Sequence, residues 1–161
     1  MPNIYDNIEN QLLEGLERCL DVSHKADFCV GYFNLRGWRS VADKVDAWTG
    51  GEDGQCRLLI GMQRRPEEML REYFSKRETE PIDQGTAVKL RKALAQEFRD
   101  QLTIGIPTEA DEIGLRQLAA QIKNQKVIVK LFLRHPLHAK LYLLFREDKI
   151  SPTIGYVAAV T

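Results

Sequence analysis

Residues 126–146 read KVIVKLFLRHPLHAKLYLLFR, and the folding of this stretch decides the architecture. Lys126 to Leu133 is rich in aliphatic side chains, with Val127, Ile128 and Val129 in succession, and predicts a strand. His138 to Arg146 predicts a second strand, reached through a turn that holds Pro136. Ile154 to Val160 predicts a third.

Upstream the period changes. Ile4, Ile8, Leu12, Leu16 and Leu20 recur at four-residue steps, on one helical face opposite acids and amides. Ala26 to Phe33 predicts a buried strand, Arg36 to Trp48 a helix, and Cys56 to Met62 a second buried strand after the glycine-rich turn Thr49 to Gly54. Pro66 opens a predicted helix running through Leu70 to about Phe74. The charged stretch from Ser75 to Gly85, with Pro81, predicts an exposed connection. The next helix places Ala87, Leu90, Leu94, Phe98 and Leu102 on its buried side. Thr108 and Asp111, after Pro107, have the spacing of a capping box for a helix with the apolar stripe Leu115, Leu118, Ala119 and Ile122.

Strands separated by helices imply an α/β fold, a mixed β-sheet flanked by helices. The 161 residues suit one domain and hold no internal repeat or low-complexity segment. The apolar fraction of 43% is enough for a real core. Lys+Arg and Asp+Glu are 23 each, a zero balance that argues against a domain built to coat nucleic acid but permits a local basic patch. Cys19, Cys29 and Cys56 lie far apart, without metal or redox spacing, and read as thiols in a reducing cytoplasm. With no leader and no apolar run of spanning length, a cytoplasmic protein without a membrane partner is expected. The end at Thr161, directly after an apolar strand, leads to the expectation of an N-terminal fragment of a longer polypeptide.

The chemistry lies in His135-Pro136-Leu137-His138-Ala139-Lys140-Leu141-Tyr142. Residues two apart on a strand face the same side, so His138 and Lys140 project together while Ala139, Leu141 and Leu143 point the other way into apolar packing. An imidazole can attack phosphorus, and a fixed ammonium stabilises the charge that develops on the phosphate oxygens. That arrangement requires neither metal nor cofactor.

Other readings of the same residues stay open. His138 and Lys140 could be an ordinary strand pair. His135 could join His138 at a metal, although residues three apart face opposite sides and Pro136 intervenes. His24 reads as a surface residue at a helix end. Arg64 and Arg65 follow the Cys56–Met62 strand, where α/β sheets place ligand loops, and are candidates for substrate phosphates or a solvated turn. Arg36, Trp38 and Arg39 could pair a stacking surface with cations or open a half-buried helix.

The run from His135 through Lys149-Ile150-Ser151-Pro152 to Gly155-Tyr156-Val157 resembles the phospholipase D superfamily. More narrowly, it looks like the domain at the N-terminus of some bacterial Swi/Snf-type helicases and related restriction or repair proteins. Gly31-Tyr32-Phe33 and the strand ending at Gly61 support the resemblance, which spans most of the chain; only the His-x-Lys strand is a specific signature. The resemblance implies a half-domain whose active unit is a homodimer. His138 and Lys140 would come from both copies, one histidine forming a phosphohistidine and the other protonating the leaving group. It further implies DNA as substrate and helicase domains downstream.

This sequence departs from the family at two places. Phe145 stands where an aspartate is often found, five residues after the lysine. Ala158-Ala159-Val160-Thr161 replaces the glycine-serine-x-asparagine element that holds the phosphate. Two functions are therefore expected in competition: a metal-independent phosphodiesterase or nuclease, and a catalytically weak DNA-binding or dimerisation module of a helicase.

Overall fold

A strand that buries one face alternates buried and accessible residues, and the first two strands do so. In β1 (Lys25–Val30), Ala26 and Phe28 are buried while Lys25, Asp27 and Cys29 are half-buried. In β2 (Cys56–Gly61), Cys56, Leu58 and Ile60 are buried while Arg57 is exposed. The computed structural model describes Tyr5 and residues 11–61, 84–102, 108–132, 137–146 and 150–157. Its remaining elements are α1 (Leu12–Leu20), α2 (Leu35–Asp46), α3 (Gln84–Leu102), α4 (Glu109–Lys123), β3 (Val127–Phe132), β4 (Lys140–Phe145) and β5 (Ile154–Val157).

The strands form one mixed sheet in the order β3-β2-β1-β4-β5. β1, β2 and β3 are mutually parallel, and β4 runs antiparallel to both β1 and β5. The α/β class and the mixed sheet expected from the sequence are the architecture found. One face carries the core. Leu16 and Leu20 of α1, Trp38 and Val45 of α2, and Leu118 of α4 pack there against Phe28, Leu58 and Leu144. Phe98 and Leu102 of α3 join that cluster at its margin. The opposite face is more polar. It carries an ion pair between Arg57 and Asp27, and the Lys25 ammonium stands 5.2 Å from the centre of the Phe145 ring.

Local signals set the element ends. The Asn34 side chain accepts the Arg36 N–H at 2.8 Å and opens α2. The capping box read at Thr108 and Asp111 forms in full: the Thr108 hydroxyl accepts the Asp111 N–H, and the Asp111 carboxylate accepts the Thr108 N–H. Gly50 and Gly51 take φ of 82° and 74° in the turn before β2, a conformation that costs other residues strain.

Several expectations are corrected. The first strand ends at Val30 rather than Phe33, because the chain bends at Gly31 and Tyr32 and delivers Phe33 into the core beside Trp38 and Phe98. Helix α3 begins at Gln84, inside the expected connection, and Ala87 is exposed on it while Leu90 is buried. On α4, Ala119 and Ile122 are exposed, and the inward positions after Leu118 belong to Gln121. That amide is tolerated in the core because both its ends are paired: Trp38 Nε1–H donates to Gln121 Oε1 at 3.0 Å, and Gln121 Nε2 donates to the Ala42 carbonyl at 2.9 Å. Ile4 and Ile8, the helix expected from Pro66, and Ala158 to Val160 lie outside the described residues.

Candidate functional site

With β4 running against the three parallel strands, its amino end lies along the same sheet edge as their carboxyl ends. Loops diverge at that edge in open α/β sheets, which makes it the usual place for a ligand. Lys140 and His138 are brought there. Lys140 pairs with Val30, the last residue of β1. One residue further out, the Gly31 N–H donates to the Ala139 carbonyl at 2.7 Å. His138 follows in the segment that enters β4, so the strand begins at Lys140 and not at His138 as expected. Pairing stops there because its partner strand bends away. His138 is exposed and Lys140 half-buried, and neither side chain forms an ion pair among the described residues.

Two glycines let the entering segment cross the ends of β1 and β2. A Cβ on Gly31 would stand 2.5 Å from the Leu137 carbonyl oxygen. A Cβ on Gly61 would run into the Gly31 carbonyl and stand 2.9 Å from the Leu137 Cβ. Gly31 meets the Leu137 backbone and Gly61 the Gly31 backbone, so a side chain at Gly31 would push residues 137–139 outward, and one at Gly61 would push Gly31 and Leu137 away.

The face on which Lys140 sits is also corrected. Leu141 and Leu143 were expected to carry the apolar packing, yet both are half-buried on the more polar face. Lys140 shares its face with Tyr142 and Leu144, whose register partners are the buried Phe28 and Ala26. Lys140 thus occupies the rim of the core face. Both alternating sets of β4 are largely apolar, so period alone could not say which one the helices cover.

Two tyrosines that sequence reasoning left aside belong to this edge. Tyr142 lies edge-on to Phe28, with ring centres 5.0 Å apart. Burial raises its pKa, and the nearby Tyr32 raises it further, so its hydroxyl stays protonated. Tyr32 follows Gly31 at the bend and is 51% exposed. The signal for Tyr142 was present in the sequence: it stands two residues after Lys140, on the same face.

Phe145, at the position of the frequent family acid, is buried and pairs with Lys25. Five residues from Lys140, it faces the opposite side at the far end of the strand. Arg64, Arg65 and His135 lie outside the described residues, as do residues 158–161. His24 is exposed, and its backbone N–H binds the Phe145 carbonyl at 3.0 Å.

Arg36, Trp38 and Arg39 do not form a stacking surface. Trp38 is buried on Gln121, while Arg36 and Arg39 reach Asp111 at 3.3 and 3.5 Å and tie α2 to the start of α4. The Arg36 guanidinium, followed by the Thr108 hydroxyl, pulls the Asp111 carboxyl down to about 2. Of the cysteines, Cys56 is buried, and burial pushes its thiol well up. Cys19 is half-buried with Sγ 3.0 Å from the Tyr156 hydroxyl, which itself donates to the Gly15 carbonyl and so fastens β5 to α1.

Among the described residues, no three His, Cys, Asp or Glu side chains gather to hold a metal ion, and no helix is long and apolar enough to cross a membrane. No protein-family model matches this chain, and no curated relative matches it.

Proposed function

We propose that this chain is a phospholipase D-like domain that acts on the DNA phosphodiester backbone, as part of a cytoplasmic helicase or restriction/repair protein. The observation that carries the reading is the arrival of His138 and Lys140, two residues apart, at the carboxyl-end edge of the parallel strands. In the proposed reaction the neutral His138 imidazole attacks phosphorus, and Lys140 offsets the charge building on the non-bridging oxygens. The leaving alkoxide takes a proton from the His138 imidazolium of a second copy across a two-fold axis. That imidazole then removes a proton from water as the water oxygen displaces His138 from phosphorus. No step uses a metal.

One observation favours a second reading, a DNA-binding or dimerisation module with little turnover. The residue at the acid position, Phe145, is buried on the other face and leaves that role empty. The deciding experiment is hydrolysis of bis-(p-nitrophenyl) phosphate and of DNA in excess EDTA, by this chain and by His138→Ala. Turnover that resists EDTA and is lost in the variant supports the enzyme. DNA binding that depends on Lys140 without turnover supports the module, and a strict metal requirement contradicts the histidine mechanism.

A further inference from the structure

A phosphodiester held for attack presents two non-bridging oxygens that share one negative charge. His138 must keep its attacking nitrogen for phosphorus, and a single ammonium is a point charge that fixes no orientation. Directed donors are needed beside them. We infer that the hydroxyls of Tyr32 and Tyr142 hydrogen-bond the non-bridging oxygens of a phosphodiester seated at His138 and Lys140, which makes them the positioning residues of the site. This rests on the proposed reading of that pair.

Register supplies the placement. Val30 pairs with Lys140, and the Gly31 N–H donates to the Ala139 carbonyl, so Tyr32 follows directly at the bend where the ladder ends, the same end of the sheet from which His138 enters β4. Tyr142 is the next residue beyond Lys140 on Lys140's own face. Tyr142 is half-buried behind the ammonium on that face, and Tyr32, half exposed at the bend, lies near enough to the Tyr142 phenol to raise its pKa. The edge-on contact with Phe28 holds the Tyr142 ring, so its hydroxyl points from a fixed base.

Both hydroxyls are available. Among the described residues neither has a hydrogen-bond partner in the protein, and no buried side-chain oxygen or nitrogen is left unpaired, so the Tyr142 hydroxyl reaches solvent. Phe28, its register partner, has no such group and carries only packing. Because burial and the neighbouring phenol keep Tyr142 protonated, it offers a donor throughout the neutral range.

The test uses the whole chain with Tyr32→Phe, Tyr142→Phe, the double variant, and His138→Ala and Lys140→Gln as controls. Inorganic phosphate binding is read by calorimetry and by the tyrosine absorption difference spectrum. Hydrolysis of bis-(p-nitrophenyl) phosphate in EDTA gives KM and kcat. Each Tyr→Phe substitution is expected to weaken phosphate binding, and to raise KM where turnover occurs, roughly tenfold, because each removes one hydrogen bond to a charged group. kcat should change less than KM, the thermal midpoint should hold, and the difference spectrum should vanish in the double variant. Wild-type affinity and KM in the double variant, with phosphate binding still lost in Lys140→Gln, would overturn the role of the tyrosines and leave the site standing. Phosphate binding absent from the wild type, or unchanged in both His138→Ala and Lys140→Gln, would overturn the site and this inference together.

Discussion

The Leu137 carbonyl oxygen rests directly over Gly31, 2.5 Å from the point where a Cβ would stand. The contact is backbone on backbone, so it cannot relax by a rotamer change. Gly31→Ala is therefore expected to cost about 1–3 kcal/mol in denaturant unfolding, the usual cost of an overpacked site. It should also shift residues 137–139 and reduce any His138-dependent activity beyond what stability explains. Gly37→Ala is the control. Gly37 lies within α2 with nothing near its Cβ position, and the change should stabilise by about 0.5–1 kcal/mol. Equal effects at the two positions would contradict the crossing of the strand ends.

The Gln121 amide is the polar centre of the contact between α2 and α4. Gln121→Leu keeps the volume but leaves the Trp38 N–H unpaired in the core and takes from the Ala42 carbonyl the donor it has besides its own helix. A loss of about 2–4 kcal/mol is expected in chemical denaturation. Trp38→Phe removes that orphan, so the double variant should be more stable than the sum of the single effects predicts. Strict additivity would mean that the two side chains do not interact.

The outcome at Gln121 shows where the sequence was legible and where it was not. Helices and strands announce themselves by period, and the capping box at Thr108 and Asp111 is a local rule that needs no tertiary information. The inward turn of Gln121 in place of Ile122 depends on an indole arriving from a helix far away in sequence. Strand order is equally non-local: nothing in β4 itself states that it pairs antiparallel with β1. At the site, the spacing of His138 and Lys140 was readable. The bend at Gly31 was not, and it shortens both β1 and β4 and brings Tyr32 alongside.

Asp111 provides a pH-dependent tie between α2 and α4. Its folded pKa of about 2 lies below the ordinary carboxylate value, so the unfolded chain binds the proton more readily. The stability it contributes is complete above pH ~4 and is lost as pH falls toward 2. Carboxyl-carbon NMR should place the Asp111 midpoint near 2. Thermal midpoints of Asp111→Asn should fall less steeply than wild type between pH 4 and 2. A midpoint at the ordinary aspartate value would remove the Arg36 and Thr108 contacts from the account.

The most direct test of the His138 site is to trap the covalent intermediate. A DNA oligonucleotide or bis-(p-nitrophenyl) phosphate is incubated with the chain in EDTA, and the reaction is quenched in base, where a phosphoramidate on histidine survives. Peptide mass spectrometry should find the phosphoryl adduct on His138, and no adduct on any peptide of His138→Ala. Turnover with no adduct on His138, or with the adduct on another residue, would contradict histidine attack at this edge of the sheet.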